Sequence, residues 1–226
     1  MLPDTPSRRA AAIAALVTAP VLSLVSVALQ PPFQDDSAAE LAAFADGWAP
    51  VVSAACFVAA QLAILVAVLA VGRLLIPRAP RLSAWGTALG VFGCFGHAVF
   101  GGIALTYLVM ARDEARREEY AALMDAILES PVMIVAMLGL AGFVLGLLLL
   151  GIGLFRARVG ARWIGPAIWA FLLLEFVGSN LSDYASYLAV LLFGAAFLAV
   201  AVELRSASDV DHRTVPVPLD DLGRRA

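Results

Sequence analysis

Long apolar blocks, interrupted by short charged or Pro/Gly-bearing segments, dominate the chain, and none shows the two-residue alternation of a half-buried strand. Six blocks stand out, at about 10–30, 51–76, 84–111, 131–155, 163–181 and 185–204. Each approaches the roughly 20 residues that a helix needs to cross the hydrocarbon core of a bilayer. The pattern predicts an all-α, polytopic membrane bundle of six transmembrane helices, one domain over residues 1–204. The polar stretch 205–226, with Pro216 and Pro218, is expected to be a disordered cytoplasmic tail. The first block follows Arg8 and Arg9 as a signal peptide would, yet its length and the lack of a small-x-small site before Pro31 read as a transmembrane helix.

Two longer loops carry helical signals of their own. Ser37-x-x-Glu40 has the form of a capping box and predicts a short helix through about Asp46. In 112–130, Tyr120, Leu123, Met124, Ile127 and Leu128 recur at i, i+3, i+4, i+7 and i+8, one apolar stripe of an amphipathic helix. That helix is expected to lie on the membrane surface, to cap the bundle, or to extend the third span into solvent.

Charge sets the orientation. There is no lysine, and twelve of the fifteen arginines fall on the side shared by the two termini, with only Arg112, Arg116 and Arg117 opposite. Positive residues mark the cytoplasmic side, so the expected topology is N-in, C-in in a cell membrane. The opposite loops are acidic, and Trp48, Trp85 and Trp163 stand where an interfacial aromatic belt would. The formal charge of −3 thus hides a basic face, suited to anionic lipid, and an acidic one. Nucleic acid is not an expected partner. The alanine-, leucine- and arginine-rich, lysine-free composition resembles multipass proteins common in high-GC actinobacteria. This resemblance of style spans the chain, rests on no motif and implies only a bacterial membrane setting.

Three polar residues interrupt the apolar blocks: Gln61, His97 and Glu175. Each lies twelve positions from a rim residue, Arg73, Trp85 and Trp163 respectively, and so about 18 Å deep at 1.5 Å per residue. Polar groups at such depth face protein or water, and an intramembrane acid is a functional candidate by default. His97 shares its helix with Gly86, Gly90, Gly93 and Gly101, whose spacing admits a close neighbour. Gly178, Ser179, Ser182 and Asp183 follow Glu175 at i+3, i+4, i+7 and i+8, a stripe expected to lead outward to the acidic side. Glu175 and His97 are the catalytic candidates; Gln61, Ser179, Asn180, Ser182, Asp183 and Tyr107 are the ligand-binding ones. Each has a plainer reading as interhelical glue. Gly142-x-x-x-Gly146 in the uncharged fourth block is a close-packing motif, within the chain or between copies.

Absences narrow the chemistry. No lysine means no retinal Schiff base, and one intramembrane histidine excludes a bis-histidine haem. No HExxH, P-loop or Cys cluster is present, and Cys56 and Cys94 sit at different depths, so no metal, cofactor or disulfide is expected. The leading expectation is an accessory or scaffold subunit whose polar cluster sets helix packing, partnered by membrane lipids and a second copy or another subunit. The alternatives are a small proton-linked transporter or lipophilic-ligand-binding protein using Glu175 and His97, and a membrane enzyme with Glu175 as general acid.

Overall fold

The computed structural model describes residues 5–34, 36–131 and 133–213, without the side chains of Asp183 and of 206–213. Eight α-helices and two short 3₁₀ turns make up the fold, with no strand among the described residues. They are α1 (Pro6–Leu29), α2 (Ser37–Ala45), α3 (Ala49–Leu75), α4 (Pro80–Met110), α5 (Arg117–Glu129), α6 (Met133–Ala157), α7 (Ile164–Phe176) and α8 (Asp183–Arg213). Helices α1, α3, α4, α6 and α8 are each long and apolar enough to cross a membrane. Their outward faces carry large apolar side chains such as Leu62, Val109 and Leu191, the surface that lipid and not water would cover. The protein is a multipass helical membrane bundle.

Two expectations about boundaries need correction. The fifth block does not form a long helix: α7 has 13 residues, about 20 Å against a hydrocarbon core of about 30 Å. It stops because Gly178 and the hydrogen-bonding Ser179 and Asn180 compete with helix continuation, and a 3₁₀ turn, Gly178–Asn180, follows instead. Conversely, α8 does not stop at 204 but runs on to Arg213. The rest of the expected tail, 214–226, lies outside the described residues.

The six core helices form a closed ring in chain order. Helix α1 packs on α3, α3 on α4, α4 on α6, α6 on α7, α7 on α8, and α8 returns to α1. Consecutive ring members run antiparallel. The ring therefore has a basic end, bearing Arg8, Arg9, Arg73 and Arg156, and an acidic end, crossed by α2, α5 and their loops.

The closest approach is between α4 and α6. A Cβ built on Gly96 would lie 2.4 Å from Gly139 Cα, one on Gly93 2.2 Å from Phe143 N, and one on Gly146 2.3 Å from Gly90 N. Gly142-x-x-x-Gly146 thus serves a contact inside the chain, with α4. Gly101 admits Phe57 and Val58 of α3 on another side of the same helix. The small-residue run around His97 therefore lets α4 wedge between two neighbours. Pro20, inside α1, is buried against Gly194 of α8, where a Cβ would come within 3.2 Å of it.

Toward the basic end the ring interior is solid. Leu16, Val68, Leu75, Leu147, Leu150, Leu154, Ile164 and Phe197 belong to one continuous buried cluster. At the acidic end, α2 and α5 form a second small cluster around Leu41, Ala111, Ala121 and Met124. Met124 is buried there while Leu123 and Leu128 of the same stripe remain half exposed. The cap of α2 is Asp36, whose carboxylate accepts the N–H of Ala39 at 2.9 Å, and not Ser37. Ser37 instead donates to Asp125 at 2.5 Å and ties α2 to α5, while Glu40 accepts the N–H of Gln34 at 2.9 Å.

Candidate functional site

Above the solid apolar half, the ring holds a partly open cavity of about 100 Å³, and all six of its helices contribute to the lining. Helix α1 supplies Ser23, Ser26 and Val27; α3 supplies Phe57, Gln61 and Ile64; α4 supplies His97; α6 supplies Phe143; α7 supplies Phe171, Glu175 and Phe176; α8 supplies Val190 and Phe193. Gln61, His97 and Glu175, separated by up to 114 positions of chain, line one space. Their arrival there follows from the ring: α3, α4 and α7 each turn one polar position inward, at matching heights.

The three side chains do not satisfy one another. Gln61 Oε1, His97 Nδ1 and Glu175 Oε2 are all buried without a hydrogen-bond partner among the described residues. Gln61 is only 5% exposed, so bulk water does not compensate it. Buried polar atoms in folded proteins are overwhelmingly paired, and each orphan costs on the order of 1–3 kcal/mol. Three orphans on one wall is therefore a concentration of unmet hydrogen-bonding capacity.

Aromatic rings surround that wall. The His97 imidazole meets Phe143 edge to face at a centroid distance of 4.3 Å, Phe57 edge to face at 6.1 Å, and lies stacked on Phe176 at 6.4 Å. Phe171 and Phe193 approach each other at 4.9 Å on the α7–α8 side. These contacts fix the imidazole plane without using its nitrogens.

A second cavity, of about 160 Å³, shares Ser26, Gln30 and Phe57 with the first and adds Pro31, Phe44, Ser53, Phe100 and Ala104. These are residues of the acidic half, and Phe44 belongs to α2. The α1 wall is thus common to both cavities, running from beneath the α2 cap to the first. Its polar line is Ser23, Ser26 and Gln30, at i, i+3 and i+7 of α1. Ser26 is buried and doubly engaged: its hydroxyl donates to the Ser53 carbonyl at 3.0 Å while the Ser53 hydroxyl donates to the Ser26 carbonyl at 2.8 Å.

The residues expected to form an outward stripe after Glu175 do not continue one helical face. With α7 ended at Phe176, Ser179 donates to the Glu175 carbonyl and Asn180 to the Phe176 carbonyl at 3.1 Å, finishing the helix. Ser182 accepts the N–H of Tyr184 at 3.3 Å and starts α8. The side chain of Asp183 lies outside the described set. Tyr107 stacks edge to face on Phe44 at 5.9 Å within the cluster under α2 and lines neither cavity. None of the four described, Ser179, Asn180, Ser182 and Tyr107, lines the cavity with Gln61, His97 and Glu175. The residues missed, Ser23, Ser26 and Gln30, carried a legible signal in their helical spacing.

Fold and site together define a helical membrane protein with an internal, aromatic-walled polar cavity. Compared with protein families, curated proteins and solved structures, the chain matches none.

Proposed function

We propose that the chain binds a small polar solute in the Gln61–His97–Glu175 cavity from the acidic side of a cell membrane, as a small proton-linked transporter or solute-binding protein. In this reading both termini are cytoplasmic and all six ring helices cross the bilayer, α7 doing so with the help of its terminal 3₁₀ turn. The groove of about 410 Å³ lined by Arg8, Arg9 and Arg73 beside apolar α1 and α3 positions suits an anionic lipid headgroup at the cytoplasmic rim.

One observation carries the reading: three polar side chains from three helices line one cavity, and each keeps a buried polar atom with no partner among the described residues. A cluster kept for helix register alone would pair its members, because unpaired groups weaken the bundle that they are meant to hold. A site kept for a solute leaves them free. The one-sided architecture agrees, with a solid apolar floor toward the basic end and a polar line toward the acidic end. The volume narrows the choice further. About 100 Å³ is below the roughly 300–1,000 Å³ of a pocket for a drug-sized ligand, which weighs against a large lipophilic substrate and with it against the enzyme reading.

Thermal stability of the purified protein in detergent distinguishes solute site from scaffold. Gln61→Leu and Glu175→Leu remove orphaned polar atoms at similar volume, so each should raise Tm by a few degrees, as expected for about 1–3 kcal/mol in a chain of this length. A lower Tm in both variants would mean that the cluster is structural glue, and would return the scaffold reading to first place.

A further inference from the structure

We infer that the groove at the basic end holds one anionic phospholipid as a bound part of the fold, with its phosphate on Arg8, Arg9 and Arg73. This assignment rests on the reading of that end as a rim suited to anionic lipid, and adds the stoichiometry, the contacts and a structural role; it is independent of the solute cavity. The groove, of about 410 Å³, is lined from three helices: the start of α1, the last turns of α3, and Leu204 of α8. Arg8 and Arg73 are exposed and Arg9 is half-buried, so all three remain open to an occupant. Topology alone asks for arginines at this end, but it does not gather three of them on one groove.

Charge asks for an anion. No acidic side chain lines the groove, and none of the three arginines is paired with a carboxylate among the described residues. Glu203, next to Leu204, lies instead against the α6–α7 connection, where a Cβ on Gly160 would come 2.9 Å from its Cγ. Helix α1 adds a second reason. Its first turn holds no acid and the Thr5 side chain caps no backbone N–H, so the positive end of the helix dipole is uncompensated. Arg8 and Arg9 stand in that turn, where the dipole disfavours cations, whereas Arg73 stands in the last turn of α3, where it favours them. A bound phosphate reverses the cost at α1. The guanidinium groups grip it through paired N–H donors, and it lies where the dipole favours an anion.

The apolar surface assigns that phosphate to a lipid. Leu62, Val66, Leu69 and Arg73, at i, i+4, i+7 and i+11, share one face of α3, and the first three are exposed. An acyl chain lying along that stripe leads its headgroup to Arg73. Size agrees: an apolar cavity of about 150 Å³ takes the six carbons of benzene, so about 410 Å³ is several times what a bare phosphate fills. Helices α1 and α8 make the seam that closes the ring, so a lipid held by α1, α3 and Leu204 reinforces that closure at the basic end.

Native mass spectrometry and thermal melts of the delipidated full-length protein in detergent test the site. Phosphatidylglycerol should add one mass per chain, saturably, and raise Tm. Phosphatidylcholine with the same acyl chains should bind at least about tenfold more weakly. Glycerol 3-phosphate, which carries the anion without the chains, should neither bind nor stabilise at the same concentration. Arg8→Gln with Arg9→Gln should weaken phosphatidylglycerol at least about fivefold. Arg78→Gln with Arg81→Gln removes the same charge from the same end but outside the groove, and should leave binding unchanged. Should the first pair not fold, Ala11→Phe fills the groove from an exposed position of α1 at unchanged charge and should cause the same loss. Equal losses from both arginine pairs, or equal binding of phosphatidylcholine, would overturn the specific site while leaving the rim lipid-facing. Stabilisation by glycerol 3-phosphate as strong as by the lipid would overturn the lipid in favour of a free anion. No saturable phosphatidylglycerol at all would overturn the reading of the rim as well. The Gln61→Leu and Glu175→Leu melts report on the solute cavity and bear on none of these outcomes.

Discussion

Replacing Gly93 by alanine should separate α4 from α6 and lower stability, although alanine is the better helix former. The new Cβ would lie 2.2 Å from Phe143 N and 2.3 Å from its Cα. Ordinary contact begins near 3.4 Å, so the two backbones must part by about 1.2 Å. No flexible side chain stands there to move aside. A gap of 0.5–1 Å forfeits roughly a quarter to a half of each dispersion well along the seam. Overpacking costs typically 1–3 kcal/mol, and alanine returns about 1 kcal/mol of helix propensity. Gly102→Ala is the matched control in the same helix: it is exposed, nothing lies within 4 Å of its built Cβ, and it should gain about 0.4–1 kcal/mol. The helix-propensity gain is common to both, so the two variants should differ by about the overpacking cost of 1–3 kcal/mol, or roughly 2–12 °C in Tm for a chain of this length. Scanning fluorimetry of both proteins in one detergent reads the difference. Equal midpoints, or a more stable Gly93→Ala, would refute the close α4–α6 seam and the placement of His97 beside Phe143 that depends on it.

The reciprocal Ser26–Ser53 pair should behave as one unit: Ser26→Ala and Ser53→Ala should each cost about 0.5–1.5 kcal/mol, and a double-mutant cycle should show a coupling of about 0.6 kcal/mol or more. Strictly additive losses would mean that the two hydroxyls act separately. Glu40, in the α2 cap, predicts a pH effect. Burial pushes its carboxyl above the usual carboxylate range, more than the donated N–H of Gln34 lowers it. A carboxyl whose folded value exceeds its unfolded one favours folding when protonated, so its contribution is present at low pH and is lost as pH rises through the folded value. Wild-type Tm minus that of Glu40→Gln should therefore step down just above the ordinary carboxylate range, and a difference that climbs there would reverse the assignment.

Much of the bundle was legible because membrane helices obey a strong rule: backbone polar groups must be satisfied within each span, so long apolar blocks become helices. An expected common height for Gln61, His97 and Glu175 followed from counting residues to the rim. That they share a space did not, since it depends on which helices adjoin. The stripe after Glu175 misled because spacing alone cannot tell a continuing helix from one whose serines turn back to cap it. Gly178 was the warning, a residue with little helical preference followed at once by two side chains that compete for backbone carbonyls. Ser37 misled for a related reason: Asp36, one position earlier, is the stronger acceptor and took the cap. Gly142 and Gly146 announced a close contact, but only the fold names α4 as its other half.

The circular order of the helices bears on how the protein is made. Every ring contact but one joins consecutive helices of the ring, so it becomes available as soon as the second of the two leaves the ribosome. The exception is the seam between α1 and α8, the first and last helices of the ring in chain order. Until it closes, the ring is an open trough, and Gln61, His97 and Glu175 lie along its unroofed side facing lipid. The most polar part of the interior is thus the last to be shielded during biogenesis. A nascent chain halted before α8 would display those side chains to the membrane machinery that recognises unassembled helices. Formation of the cavity and closure of the ring are a single event.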